Sequence, residues 1–329
     1  MFYNDGSIPT TADTADVAIT GDGSTFFGYA LTSGDFNADG KTDLAVGAIG
    51  YSAFAGRAYI FYNDGSIPTT AATADITITG EVGGNFFGLS LTTGDFNTDS
   101  RTDLVVGAYG YSSNAGRAYI FYNDGSIPTT AATADVAITG ESPSLFGSKL
   151  TSGDFNADGK TDLAVGATSY SSNTGRAYIF YNDGSIPTTA ATADVTITGE
   201  TTSNQFGNSL TSGDFNSDGK MDLVVGATGY ISSTGRVYIF YNDGSYPSGA
   251  SSADTIITGE STSNAFGASL SSGDFNADGK TDLAVGATAY SSSTGRIYII
   301  ITEIKTGAEQ LLGASVKGGL DIKGNLLIK

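Results

Sequence analysis

One block of sequence recurs along this chain and constrains it more than any other feature. Ser33-Gly34-Asp35-Phe36-Asn37-Ala38-Asp39-Gly40-Lys41-Thr42-Asp43-Leu44 returns, with small changes, around Asp95, Asp154, Asp214 and Asp274, at a step of about 60 residues. Each copy follows a Phe-Gly pair, at Phe27, Phe87, Phe146, Phe206 and Phe266, and precedes Val-Gly-Ala and then Gly-Arg-x-Tyr. In the first four units Tyr-Asn-Asp-Gly-Ser comes next. Self-similarity at a fixed period means that one supersecondary unit is stacked on copies of itself, so the fold is read from a single unit.

Within a unit the pattern gives four short strands and no helical period. In the second unit these are residues 87–96, 104–108, 117–122 and 136–139, separated by an Asp/Asn/Gly loop, a Ser/Asn/Gly stretch and an Asn-Asp-Gly turn. Four antiparallel strands repeated five times predict an all-β chain: a β-propeller of five four-stranded antiparallel blades. The second strand, Asp-Leu-Val-Val-Gly-Ala, is apolar on both faces, as a strand packed between neighbouring blades requires. The chain enters at the end of a third strand, continues through a fourth at residues 17–20, and leaves the last unit after a third strand at 296–301. Closure of the ring by the N-terminal strand, with residues 1–20 completing the last blade, hides an otherwise open edge. The propeller then spans residues 1–301, and 302–329 is a non-repeat C-terminal tail. From residue 315 onward the tail alternates Val316, Leu320, Ile322, Leu326 and Ile328, enough for a strand and too little for a blade.

Composition removes whole classes of chemistry. With no Cys and no His among 329 residues, disulfides, thiolate and imidazole metal sites, thiol nucleophiles and the Ser-His-Asp triad are excluded. A net charge of −19 repels phosphate backbones, so nucleic acid is not an expected partner. No stretch approaches 18 consecutive apolar residues, so no helical membrane insertion is expected, and the chain as given reads as soluble.

The recurring block itself carries the candidate site. Asp35, Asn37, Asp39 and Asp43 put oxygen side chains at positions 1, 3, 5 and 9 of a loop with Gly40 at position 6. Alternation keeps side chains on the inside of a tight turn, and hard cations need such clustered oxygens. The bidentate Glu of an EF-hand is absent, since Val46 stands at position 12. The bland alternative is an acidic β-turn without metal, and it weighs most in the second loop, where Ser100 replaces Gly and Arg101 brings a cation. Three acids confined to each loop repel one another unless a cation offsets them, which favours up to five Ca²⁺ ions.

Phe-Gly, the Asp-x-Asn-x-Asp-Gly-x-x-Asp loop, Val-Gly-Ala and Gly-Arg-x-Tyr, in this order and at this period, resemble the FG-GAP repeats of the integrin α-subunit propeller and its bacterial relatives. The resemblance covers residues 1–301. It implies that the Phe-Gly strand lines the central channel and that the calcium loops lie on the lower face. Carried over by position, the implied ligands are Asp35, Asn37, Asp39, Asp43 and the carbonyl of Lys41 in the first loop, and Asp95, Asn97, Asp99, Asp103 and the carbonyl of Arg101 in the second. The third loop has Asp154, Asn156, Asp158, Asp162 and Lys160; the fourth Asp214, Asn216, Asp218, Asp222 and Lys220; the fifth Asp274, Asn276, Asp278, Asp282 and Lys280. Two departures bear on ring size and loop shape: the integrin ring has seven blades, and Pro of Gly-Ala-Pro is replaced here by Ile49, Tyr109, Thr168, Thr228 and Thr288.

Arg57, Arg117, Arg176, Arg236 and Arg296 recur at one position, and the surplus of acids makes carboxylate partners a simpler expectation than an anion-binding ring. Tyr-Asn-Asp-Gly-Ser is expected to be a turn rather than a sugar or second metal site. The units differ most in the connection into the first strand and in the loop between second and third strands, which emerge opposite the calcium loops. That face is the candidate binding face, against the simpler alternative of loop drift after duplication, since most of the substitutions are Ser, Thr, Gly and Asn. The function expected is a calcium-binding, secreted or cell-surface scaffold that, as a monomer, contacts a protein or extracellular-matrix ligand. A lectin holding small glycans between blades and a non-binding spacer are the alternatives. The lectin is disfavoured by the absence of Trp, which leaves Tyr51, Tyr109, Tyr111, Tyr170, Tyr230 and Tyr290 as platforms. No enzyme is expected, because the carboxylates repeat from unit to unit and form no single asymmetric constellation.

Overall fold

The structure, a computed structural model, describes residues 11–302; the first ten residues and the tail beyond Thr302 lie outside it. Phe27–Gly34, Asp43–Ala48, Arg57–Phe61 and Ile76–Thr79 form blade 1, an antiparallel sheet in chain order. Blade 2 is Ser90–Gly94, Asp103–Ala108, Arg117–Phe121 and Val136–Thr139, and blade 3 is Phe146–Gly153, Asp162–Ala167, Arg176–Phe180 and Val195–Thr198. Phe206–Gly213, Asp222–Ala227, Arg236–Phe240 and Thr255–Thr258 make blade 4. Blade 5 has only Phe266–Gly273, Asp282–Ala287 and Arg296–Ile300.

The doubly apolar second strand behaves as its pattern requires: in blades 2, 3 and 4 all of its residues are buried. Each interior is shared between two blades. Phe36, Ala45, Ala58 and Ile60 of blade 1 pack with Phe87, Leu104, Val106 and Phe121 of blade 2, and the same set recurs at the next three junctions. Backbone contact sets the spacing. Gly56, Gly116, Gly175 and Gly235 bridge in parallel to Phe87, Phe146, Phe206 and Phe266 of the following blade. A Cβ at Gly175 would lie 2.1 Å from the Phe206 carbonyl oxygen, so no side chain fits there. Hydroxyls tie the first strands together, as where Ser212 Oγ donates to the Ser152 carbonyl and Ser272 Oγ to that of Ser212.

The expected ring closure is not found, and this corrects the sequence reading. Among the described residues Arg296–Ile300 pairs only with Asp282–Ala287, so the fifth sheet has three strands rather than four. Residues 17–20 lie beside blade 1 without reaching blade 5, and Thr20 bridges to Thr70 as Thr79 bridges to Thr130 one blade later. The N-terminal segment thus holds the place that the outer strand of a preceding blade would hold. The reason is geometric: backbone-to-backbone packing fixes the turn from blade to blade, and among the described residues nothing covers the two end faces. Leu31 on the first face is 62% exposed and Ile297 on the last is 68% exposed.

Candidate functional site

The five Asp loops join first and second strands at one end of every blade. In the first, the Asp39 amide donates to Asp35 Oδ1 at 3.1 Å and to Asn37 Oδ1 at 3.0 Å, and the Gly40 amide donates to Asp35 Oδ2 at 2.9 Å. The Lys41 amide donates to Asp39 Oδ1 at 2.9 Å. The other four loops repeat this scheme around Asp95, Asp154, Asp214 and Asp274. Alternation does what the spacing predicts: the side chains at positions 1, 3 and 5 turn inward onto the amides of their own loop.

Position 9 is different. Asp43 opens the second strand and is buried; its Oδ2 accepts from the Phe36 amide at 2.8 Å and its Oδ1 from the Asn63 amide at 2.7 Å. Asp103, Asp162 and Asp222 make the same pair of bonds. This carboxylate ties the loop to the turn after the third strand, a role that loop spacing did not reveal. Burial raises the pKa of Asp103 to about 6 against the pull of the two amides, and repulsion from Asp99 and Asp95 adds to the rise. Asp162 and Asp222 are raised to about 6 for the same reasons. Among the described residues no three carboxylates converge closely enough to hold an ion by themselves. Lys41 Nζ instead reaches Asp39 at 3.1 Å. The donor chemistry nevertheless fits Ca²⁺: every candidate ligand atom is oxygen, and each loop sets three carboxylates against a single Lys or Arg.

The second loop departs where its sequence does. Ser100 has φ +66°, while the glycines at the same position have φ between +82° and +84°, so a side chain occupies a left-handed conformation that costs about 1 kcal/mol relative to Gly.

The Tyr-Asn-Asp-Gly turns are structural. Asn123 Nδ2 donates to the Phe36 carbonyl at 2.7 Å and Asn182 Nδ2 to the Phe96 carbonyl at 2.9 Å, locking each turn to the Asp loop of the blade before. The arginines also find partners: Arg117 pairs with Glu81, Arg176 with Glu141, Arg236 with Glu200 and Arg296 with Glu260. Each lies over a tyrosine ring, from Arg57 on Tyr51 at 3.4 Å to Arg296 on Tyr290 at 3.7 Å. Five of the six tyrosines considered as sugar platforms are therefore covered by a guanidinium.

The loops of the opposite face do come together. The Phe86 amide donates to the Phe54 carbonyl at 2.8 Å and the Gln205 amide to the Asn173 carbonyl at 2.8 Å, so the second-to-third loop of one blade zips onto the entry loop of the next. On this face, at blades 1 and 2 only, Phe26, Phe54, Phe86 and Tyr109 form a row of rings with successive centroids 6.2, 5.1 and 4.9 Å apart. Phe26 is 59% and Phe54 41% exposed. The equivalents of Phe86 are Leu145, Gln205 and Ala265, and those of Phe54 are Asn114, Asn173, Ser233 and Ser293. Of this row only Tyr109 was singled out in the sequence, as a platform candidate; the signal for Phe26, Phe54 and Phe86 was aromatic residues breaking a Ser/Asn loop pattern.

No helix among the described residues is long and apolar enough to cross a membrane. A family model described as FG-GAP repeat matches residues 27–61, 87–121, 146–180, 206–240 and 266–300. Phosphatidylinositol-glycan-specific phospholipase D of Bos taurus is 34% identical over 64% of this chain, and integrin alpha-PS2 of Drosophila melanogaster is 31% identical over 72%. Integrin alpha-5 of Xenopus laevis is 30% identical over 62% of the chain. The matched stretches span 28%, 17% and 20% of those proteins, so the chain is similar to a minor part of each. With five matched repeats, each coinciding with the first three strands of one blade, the chain belongs to the FG-GAP repeat family.

Proposed function

We propose that this chain is a calcium-stabilised interaction module that acts outside the cell or on its surface and meets a protein partner through the face opposite the Asp loops. The observation that carries the reading is asymmetry. Blades that otherwise repeat each other present one aromatic row, Phe26, Phe54, Phe86 and Tyr109, at one end of one face, with Phe26 and Phe54 exposed and Phe86 and Tyr109 half-buried. Exposed clustered rings are costly to keep in water and are the residues that dominate binding interfaces. The chemistry of the other face is that of support: in each loop the Asp, Asn and Asp side chains, the buried Asp and the carbonyl of the Lys or Arg would hold Ca²⁺, which offsets three carboxylates at once. Solvent-exposed oxygen loops of this kind suit extracellular calcium concentrations better than cytosolic ones.

The test is binding of the purified chain to immobilised extracellular-matrix proteins and, in parallel, to a glycan array, with wild type against the Phe54→Ser/Phe86→Ser double variant. Binding to a matrix protein that falls at least tenfold in the variant supports the reading. Binding confined to glycans would favour the lectin, and no binding to either would leave a spacer.

A further inference from the structure

The two ends of the blade stack are halves of one interface that the molecule already builds four times. At every internal junction the earlier blade offers the same set, which in blade 1 is Phe36, Ala45, Ala58 and Ile60, and the later blade receives it beside its Phe-Gly strand. Blade 5 carries the offering set as Phe275, Ala284, Ile297 and Ile299, with nothing among the described residues covering it: Phe275 is 47% exposed, whereas Phe36, Phe96, Phe155 and Phe215 are buried. Gly295 holds the position at which Gly175 meets the next blade's backbone, yet the nearest atom to a Cβ there is 3.8 Å away. Blade 1 carries the receiving half. Val46, Ala48, Tyr59 and Phe61 form a core cluster with Ile19 and Phe27 packed against it, and an apolar groove of about 250 Å³ opens between Ile19, Phe27, Leu31 and Val46. At the other junctions that groove is filled by the preceding blade.

We propose that the first face of one copy of this chain docks on the fifth face of another, head to tail. The occupant is specified by the molecule itself, because each uncovered face matches the partner that its repeat equivalents hold at the four internal junctions. The docked copy also completes the three-stranded sheet. At the outer edge of blade 1, Thr79 stands opposite Arg57 and Ile78 opposite Ala58. Residues 17–20 read Val-Ala-Ile-Thr, as 136–139 do, so Thr20 of the second copy falls opposite Arg296 and Ile19 opposite Ile297. The new edge strand satisfies backbone groups that Arg296–Ile300 now leaves unpaired by any strand among the described residues. Such a contact is heterologous and leaves a free face at each end, so it propagates rather than stopping at two. The charge of −19 on every copy opposes association, and added salt should strengthen it.

Sedimentation velocity of the full chain over a range of concentrations tests this with Leu31→Asp, which blocks the first face, and Ile297→Asp, which blocks the fifth. Both side chains are exposed in the single molecule, and an unchanged circular dichroism spectrum checks that each variant folds. Wild type is expected to grow in steps of the monomer mass with concentration, and each variant alone to remain a monomer. The two variants mixed are expected to give a one-to-one dimer and nothing larger, since one free face of each kind remains. An Ile19→Cys/Ile297→Cys variant, in a chain with no native Cys, should oxidise to a ladder of covalent oligomers. A monomeric wild type, a dimer that persists in either single variant, or a cross-link formed within one chain would each overturn the proposal.

Discussion

Ser100 shows how far one residue can be argued from its neighbours in the repeat. Four loops place Gly where φ is near +83°, and Ser100 takes φ +66° in the fifth case. Ser100→Gly should therefore stabilise the fold by about 1 kcal/mol, visible as a higher midpoint in urea, and Gly159→Ser should lower it by a similar amount. Asp162 is a second case. Both its oxygens accept from buried amides, Phe155 at 2.8 Å and Asn182 at 2.8 Å. Asp162→Asn turns an NH₂ onto one of those donors, and a loss of about 1–3 kcal/mol is expected even in chelator. If the variant matched wild type without calcium, the carboxylate would have no structural role. The spacing of Asp35, Asn37, Asp39 and Asp43 was readable in sequence, because alternation and a turn glycine are local. The dual anchoring of Asp43 was not, since its second donor, Asn63, lies twenty residues on in another turn.

At the level of elements the same substitution should have unlike effects in different blades. Phe155 is enclosed between blades 3 and 4, and Phe155→Ala is expected to cost about 3–5 kcal/mol. Phe275→Ala, at the equivalent half-exposed position in blade 5, should cost the isolated molecule less than about 1 kcal/mol, read in urea titrations at low protein concentration. Gly175→Ala must push the Phe206 carbonyl aside, whereas Gly295→Ala meets only the strain of its own positive φ. Equal losses in either pair would mean that the fifth face is covered in the single chain. Three strands of the second unit were legible to within one residue, as at 104–108 and 136–139 against Asp103–Ala108 and Val136–Thr139, whereas the first, expected at 87–96, is confined to Ser90–Gly94. The single turns such as Tyr111–Asn114, built around Ser112 and Ser113 at positive φ, left no helical period to read. Likewise the row from Phe26 to Tyr109 depends on loops from two blades meeting, which no spacing within one unit encodes.

The whole molecule differs from its sequence reading in one respect, the fate of its ends. Counting strands gives one spare at the start and one missing at the end, and closure follows if the blades turn far enough to meet. The angle between blades is set by contacts such as Gly175 on Phe206, and the strand count carries no information about it. What the repeat does carry is the row of acidic loops, proposed above as calcium sites that hold the blades together. Scanning calorimetry of the chain at low protein concentration, in excess chelator and then at rising calcium, tests this most directly. Ions that bind only the folded state stabilise it by about 2.7 kcal/mol per site at a hundred times the dissociation constant, so the melting temperature should climb steadily with calcium and fall back on chelation. The same melting temperature in chelator and in saturating calcium would contradict the account and leave the five loops as acidic turns.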